Sequence, residues 1–196
     1  MTAAATSVPP HANHPVNHIG LTVPDIFTAI DWYRDVLGFE HIMGPRVLEA
    51  ASAATAETSS ILGPRFRRAY QAHLLAGNGI GLELFQFVDP PVLDAEDETV
   101  YWRRGYWHLC LTVADLPGTL QAVLDHGGQQ VSAVADFVPG KPYQLVYCRD
   151  PFGLTLELLS HPYAEVFHDW PQDGMSAEPT WLLRDGGTRT GGRHPG

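Results

Sequence analysis

Cysteine, basic residues and long apolar runs are all scarce in this chain of 196 residues. Its two cysteines, Cys110 and Cys148, lie in no CxxC pair and cannot form a disulfide framework. We interpret both as small apolar side chains on interior strands. No apolar stretch approaches the roughly 20 residues that a membrane helix requires.

The shortage of basic residues also narrows the class of partner. Twelve Lys and Arg residues face 22 Asp and Glu residues, which gives a formal net charge of −10. This balance argues against nucleic acid and against an anionic membrane as a partner. The first residues, MTAAATSVPPHANHP, lack the basic and apolar regions of a secretory signal, so we expect a cytoplasmic protein.

One pattern occurs twice. Residues 17–39 read NHIGLTVPDIFTAIDWYRDVLGF, which predicts a strand carrying His18, a helix capped by Asp25 and a left-handed stop at Gly38. Ninety positions later, residues 108–129 read HLCLTVADLPGTLQAVLDHGGQ, with His108 in place of His18 and Gly128 in place of Gly38. Such a repeat predicts one supersecondary module used twice, each with a β-α-β-β-β order.

The remaining segments complete this organisation. We expect a flexible arm over 1–15, a first module over 16–88, an acidic linker over 89–104 and a second module over 105–160. Residues 161–196 form a C-terminal extension, which we predict to be mobile from Arg184 onward. The first module is longer, and we place its insertion at about 44–75, with a short helix over Val47–Ala56. Arg65, Arg67 and Arg68 in it either meet an anionic substrate or are solvated surface charges.

The last strand of each module contains a glutamate between two leucines. Glu83 lies between Leu82 and Leu84, and Glu157 lies in the same Leu-Glu-Leu triplet. A carboxylate on a half-buried strand is costly unless it is paired or coordinated. Two imidazoles and two carboxylates in matching positions predict a site for a divalent metal such as zinc, nickel, cobalt, manganese or iron(II). The predicted ligands are His18, Glu83, His108 and Glu157.

The repeated units HIGLTVPD and HLCLTVAD, the two LEL strands and the DPFG turn at 150–153 resemble the vicinal oxygen chelate superfamily over residues 16–160. This superfamily includes glyoxalase I, methylmalonyl-CoA epimerase, extradiol dioxygenases and resistance proteins. The resemblance implies an α+β fold in which two βαβββ modules form an open, cupped mixed sheet around a metal cavity. It further implies a homodimer.

The resemblance to the glyoxalases and the epimerase implies a lyase or isomerase that stabilises an enediolate of a small oxygenated substrate on one divalent metal. In this scheme Glu157 is the general base and Glu83 takes the reciprocal acid/base role on the opposite face. One departure concerns the substrate. Glyoxalases of this superfamily carry an arginine four residues after the first metal ligand, where it contacts glutathione. In this chain Thr22 occupies that position.

Two alternatives remain open at this point. Residues 146–157, VYCRDPFGLTLE, fit the spacing of extradiol dioxygenases, in which His18, His108 and Glu157 would bind iron(II) and Tyr147 would donate a proton. The histidine that this family carries shortly before the tyrosine is missing here. The second alternative is a resistance-type protein that binds a small molecule without catalysis, although such proteins usually lack the metal ligands.

Overall fold

The computed structural model describes residues 13–50, 61–93, 101–168 and 178–191. The chain divides into two compact units, Met1–Val92 and Leu93–Gly196. Among the described residues, no helix is long and apolar enough to cross a membrane. Most of the predicted N-terminal arm and the centre of the acidic linker lie outside the described residues.

The first unit is a four-stranded mixed sheet with one helix. Its elements are β1 (His18–Thr22), α1 (Ile26–Leu37), β2 (Glu40–Glu49), β3 (Arg68–Leu75) and β4 (Gly81–Asp89). The strand order is β1-β4-β3-β2, with β1 parallel to β4 and the other neighbours antiparallel. The first and last strands of the module are therefore adjacent, which confirms the predicted βαβββ order.

Helix α1 begins and ends where the sequence predicts. The Asp25 carboxylate accepts a hydrogen bond from the Thr28 amide at 2.8 Å, and Gly38 ends the helix with a φ of 70°. Ile26, Ile30 and Tyr33 are buried, as are Leu82 and Leu84 on β4. Because strand side chains alternate, Glu83 points to the other face of the sheet.

The second unit follows the same plan, except that two short strands, both paired to the same neighbour, replace the single strand predicted after the helix. Its elements are β5 (Leu109–Thr112), α2 (Leu116–Asp125), β6 (Gln129–Gln130), β7 (Ala135–Asp136), β8 (Gln144–Arg149) and β9 (Thr155–Leu159). The sheet order is β5-β9-β8-β6, with β7 also paired to β8, and β5 runs parallel to β9. Leu156 and Leu158 are fully buried, so Glu157 between them faces away from the core.

Two local predictions are wrong. The helix expected from Val47 does not begin there, because β2 continues to Glu49 and buries Leu48 opposite Ala69; residues 51–56 of that helix lie outside the described residues. The left-handed residue after α2 is Gly127, with a φ of 84°, and not Gly128. Position 128 requires a glycine for a different reason. A side chain would not fit there, since a Cβ would lie 2.7 Å from the Arg149 carbonyl oxygen.

The C-terminal extension contains a short helix and a hairpin in the part that the structure describes. Helix α3 (Tyr163–Phe167) places Val166 in a core cluster with Val138, Tyr143 and Leu159 of the second module. The segment expected to be mobile from Arg184 contains one strand of a hairpin, formed by β10 (Thr180–Leu182) and β11 (Thr188–Thr190). The Trp181 indole donates a hydrogen bond to the Gly191 carbonyl at 3.2 Å, next to the backbone pairing of the two strands.

Candidate metal centre

In the first unit, β1 and β4 bring His18 next to Glu83. The Nε2 of His18 lies 3.5 Å from the Oε2 of Glu83. The other ring nitrogen, Nδ1, is 2.8 Å from the Asn17 side-chain oxygen, so Nε2 is the nitrogen directed at the carboxylate. Gly81 provides the space for this arrangement, because a Cβ at that position would lie 3.0 Å from the Cβ of His18.

Glu83 has two further neighbours on β3. His73 is its direct partner in the strand register, and the Nε2 of His73 lies 3.8 Å from the Oε1 of Glu83. The side-chain amide of Gln71 donates a hydrogen bond to the same oxygen. Gln71 is itself 95% buried and accepts a hydrogen bond from the Arg46 Nε at 2.6 Å. The carboxylate thus accepts one hydrogen bond, from Gln71, and has an imidazole near each of its oxygens.

His18, His73 and Glu83 line an open pocket of about 320 Å³ within the first unit. Asn17 adds a polar group to its wall, and Ile42, Leu74 and Leu75 add apolar surface. A concave site with a few polar groups among apolar residues is typical of small-molecule binding.

In the second unit, the corresponding pair is closer. The Nε2 of His108 lies 3.0 Å from the Oε2 of Glu157, and both side chains are largely buried. The ring of Trp107 packs against His108 with a centroid distance of 3.9 Å, and Tyr147 lies 5.7 Å away on the same basis. The imidazole therefore contacts two aromatic rings, which also contact each other at a centroid distance of 5.4 Å.

Glu157 lies between Cys110 on β5 and Tyr147 on β8, which are its partners in the strand registers. Burial raises the pKa of the Tyr147 hydroxyl to about 12, with a further contribution from the negative charge of Glu157 and a hydrogen bond to it. Burial and the same carboxylate raise the pKa of the Cys110 thiol to about 12. Both groups keep their protons at neutral pH and can donate hydrogen bonds to Glu157.

The interpretation of the cysteines as apolar residues of interior strands is correct for one of them. Cys148 is fully buried on β8. Cys110 is instead exposed as a residue and lies on β5, at the edge of its sheet, with its thiol beside Glu157. The alternation of β5 explains this position, because Cys110 is two residues from His108 and shares its face.

We call each unit's histidine–glutamate pair, with the residues opposite the glutamate on the adjoining strands, a half-site. The two half-sites differ at each of these opposite positions. His73 of the first module corresponds to Tyr147 of the second, and Gly20 corresponds to Cys110. Gln71, two residues before His73, corresponds to Leu145. The histidine–glutamate pair is thus repeated, while its surroundings are not.

The residues present suit a divalent metal. Imidazole nitrogens and carboxylate oxygens are ligands of zinc and the first-row metals. In the residues that the structure describes, two buried ring nitrogens of the half-sites, His73 Nε2 and His108 Nδ1, have no hydrogen-bond partner. Within those same residues, no group of three or more His, Cys, Asp or Glu side chains is arranged to hold a metal. The predicted ligands come together as pairs, one pair in each unit.

Sequence reasoning missed Arg46, Gln71 and His73, and it assigned Arg65, Arg67 and Arg68 to either a substrate or the surface. The alternation of polar Gln71 and His73 with apolar Ala72 and Leu74 was a usable signal for a strand face near Glu83. Two of the three arginines have local partners. Arg67 donates to the carbonyl groups of Pro64 and Phe66, and Arg68 pairs with Glu49 at 3.7 Å.

The model of the Glyoxalase/Bleomycin resistance protein/Dioxygenase superfamily matches residues 16–158. The chain belongs to this superfamily. A 2-epi-5-epi-valiolone epimerase from Actinomyces sp. is 26% identical over 155 residues, which cover 78% of this chain and 82% of the epimerase. The match confirms the family that the repeated HIGLTVPD and HLCLTVAD units indicate.

Solved structures of this superfamily share the fold. A glyoxalase family protein from Bacillus cereus aligns with a TM-score of 0.63 at 21% identity, covering 78% of this chain and 97% of its own. The fosfomycin resistance protein FosX from Listeria monocytogenes, in a complex with Mn(II) and sulfate, aligns with a TM-score of 0.50 at 12% identity. The alignment covers 79% of this chain and 98% of FosX. At these identities the likeness concerns the fold.

Proposed function

We propose that this protein is a metal-dependent isomerase that moves a proton at a carbon next to a carbonyl group of a small oxygenated substrate. The observation that carries this proposal is the histidine–glutamate pair, which occurs at the same place in both modules with Nε2–Oε2 distances of 3.5 Å and 3.0 Å. The epimerase among the relatives favours an isomerase over a glyoxalase-like lyase.

In this proposal His18, Glu83, His108 and Glu157 are the ligands of one divalent metal, namely zinc, nickel, cobalt or manganese. When bound, the metal would act as a Lewis acid towards two adjacent substrate oxygens, which favours an enediolate. The two pairs come from two modules, either of one chain or of two chains in a homodimer. The remaining steps belong to the protein's own side chains.

Glu157 is the proposed general base. Its two neighbours, the Tyr147 hydroxyl and the Cys110 thiol, can each donate or accept a hydrogen bond, so they can follow a change in the proton on the carboxylate. The hydrogen bond to Glu83 is different, because the Gln71 amide group that makes it can only donate, while His73 lies farther away at 3.8 Å. Glu83 therefore suits a permanent ligand better than the reciprocal acid that the resemblance implies.

Metal analysis of single variants tests this proposal. We expect about one metal per chain in the protein purified without chelators, and we expect either Glu83→Ala or Glu157→Ala to abolish binding. Two metals per chain, with one lost in each variant, would show separate sites and contradict a shared centre. Absence of metal in the wild type would favour the resistance-type binding protein.

The extradiol dioxygenase is the second candidate, and one observation favours it. Tyr147 lies directly opposite Glu157 in the register of β8 and β9, as the spacing of the VYCRDPFGLTLE segment requires. An iron(II) ion retained in the Glu83→Ala variant, together with oxygen consumption in the presence of a catechol, would establish this candidate. Loss of metal in that variant would exclude it, because its iron triad does not contain Glu83.

A further inference from the structure

The geometry points to Arg46 and Gln71 as positioning residues that fix Glu83 as a metal ligand with one oxygen free for the metal. This inference rests on the proposed function and adds two residues to it. Neither residue belongs to the predicted ligand set, and they form a continuous hydrogen-bonded chain from the exposed edge strand β2 to the pocket.

The chain of hydrogen bonds has a defined direction. A guanidinium group can only donate, so the Gln71 oxygen must face Arg46, and the Arg46 Nε lies 2.6 Å from it. The Gln71 NH₂ group is then left to face Glu83, and it donates to the Oε1 of that carboxylate. Gln71 is 95% buried, so its amide has little freedom to turn away.

The two carboxylate oxygens of Glu83 therefore have different neighbours. Oε1 is occupied by the Gln71 amide, while Oε2 is directed at the Nε2 of His18 at 3.5 Å. A carboxylate held by one oxygen presents the other in a fixed direction, which reduces the entropy lost when a metal binds. Glu83 would therefore bind the metal through Oε2.

A bulge in β2 places Arg46 in position. Met43 pairs with His73 and Arg46 pairs with Gln71, so three steps along β2 match two steps along β3. Without the extra residue, Pro45 would lie opposite Gln71. The bulge requires Gly44, because its φ is 92° and a Cβ there would lie 2.5 Å from the Gln71 carbonyl oxygen.

The second module lacks this device. Leu145 occupies the position that corresponds to Gln71, and an aliphatic side chain cannot orient a carboxylate by hydrogen bonding. The hydrogen bonds of Arg46 and Gln71 are thus one of the differences between the two half-sites. They support a fixed role for Glu83 and leave Glu157 as the carboxylate that can move.

Titration of the metal-free full-length protein with Mn²⁺ alone, followed by the loss of the free-ion EPR signal, tests this inference. We expect Gln71→Met, a substitution of similar shape, to weaken Mn²⁺ binding by about 10- to 100-fold. Arg46→Met should weaken it less. The double variant should bind Mn²⁺ no more weakly than Gln71→Met, because Arg46 acts through Gln71.

The matched control is Gln86→Leu. Gln86 is a half-buried glutamine on the same strand as Glu83, and its side-chain oxygen accepts a hydrogen bond from the Ile26 amide at the start of α1. This variant should lower the unfolding midpoint of the metal-free protein while leaving Mn²⁺ affinity unchanged. Arg46→Lys should recover part of the affinity lost in Arg46→Met, since a lysine can still donate to Gln71.

The outcomes separate the two proposals. Wild-type Mn²⁺ affinity in Gln71→Met would overturn the positioning role and leave the metal centre intact. Additive losses in the double variant would overturn the route from Arg46 through Gln71. A wild-type protein that binds neither Mn²⁺ nor Zn²⁺ would remove the proposed function, and the positioning role would fall with it.

Discussion

The Nε2 of His108 lies 3.0 Å from the Oε2 of Glu157, within hydrogen-bonding distance, whereas His18 and Glu83 are 3.5 Å apart. The closer pair also lies among aromatic rings, with Trp107 against His108. These surroundings hold His108 in place. The carboxylate of Glu157, by contrast, has only a hydroxyl and a thiol as its neighbours on the adjoining strands.

Glu157→Gln should retain the metal and lose turnover. Glutamine keeps an oxygen that can ligate, but it has no basic carboxylate to accept a proton, and general-base catalysis contributes about 10²- to 10⁴-fold. The measurement is deuterium incorporation from D₂O next to the carbonyl of a substrate found by screening α-hydroxy ketones. Glu40→Gln, on the exposed start of β2, is the control, and full activity in Glu157→Gln would remove Glu157 as the base.

His108→Ala should raise the dissociation constant for Mn²⁺ by about tenfold or more, because it removes an imidazole ligand and leaves Glu157 without its neighbour. His126→Ala provides the comparison. His126 is exposed after α2, and its Nδ1 contacts the Ala122 carbonyl, so its loss should leave Mn²⁺ binding unchanged. Equal metal occupancy in the two variants would refute the site assignment in the second module.

Gly44→Ala should lower both the free energy of unfolding and the affinity for Mn²⁺. A residue with a side chain is strained at a φ of 92°, and the added Cβ would contact the backbone of Gln71 and Ala72, so we expect a loss of about 2 kcal/mol. Urea unfolding measures the first effect. Gly77→Ala, in the turn between β3 and β4, is a suitable control, because a Cβ there meets no atom within 4 Å. An unchanged Mn²⁺ affinity in Gly44→Ala would show that the bulge does not serve the metal.

The stability of the protein should fall as the pH rises above 9. Burial, with a smaller contribution from the charge of Asp150, raises the pKa of the Cys148 thiol from 9.0 to about 11. Between these values the unfolded chain has lost this proton and the folded chain has kept it, so the free energy of unfolding decreases with pH. Below pH 9 this contribution to stability is fully present.

Urea unfolding at several pH values from 8.0 to 10.5 measures this effect. Cys148→Ala should be less stable at every pH, because it leaves a small cavity, but its stability should decline less steeply above pH 9 than that of the wild type. Parallel declines in the two proteins would show that Cys148 does not contribute to the pH dependence.

The sequence is sufficient for the module and for the neighbouring positions of its histidine and glutamate. His18 and Glu83 could be matched because the alternation of a strand, the cap at Asp25 and the stop at Gly38 are local patterns that occur twice. With the first and last strands parallel and adjacent, each histidine meets the glutamate of its own module. The strand pattern, the helix cap and stop, and the repeat are therefore enough to predict which histidine lies beside which glutamate.

The surroundings of the glutamates could not be predicted, because they depend on strand register. Arg46 reaches Gln71 only through a bulge whose extra residue leaves no periodic signal, and the Gly-Pro pair at 44–45 suggests a turn when read alone. Cys110 lies beside Glu157 because of the register between β5 and β9, which local sequence does not specify. The hairpin of β10 and β11 likewise depends on pairing between residues that have no strong individual strand signal.

The adjacency of first and last strands also determines when each half-site can exist during synthesis. His18 leaves the ribosome long before Glu83, and β4 must insert between β1 and β3 before the two side chains meet. The N-terminal pair can therefore assemble on the nascent chain while Glu157 has yet to be translated. A chain interrupted after the first module would contain His18, Gln71 and Glu83 but not Glu157.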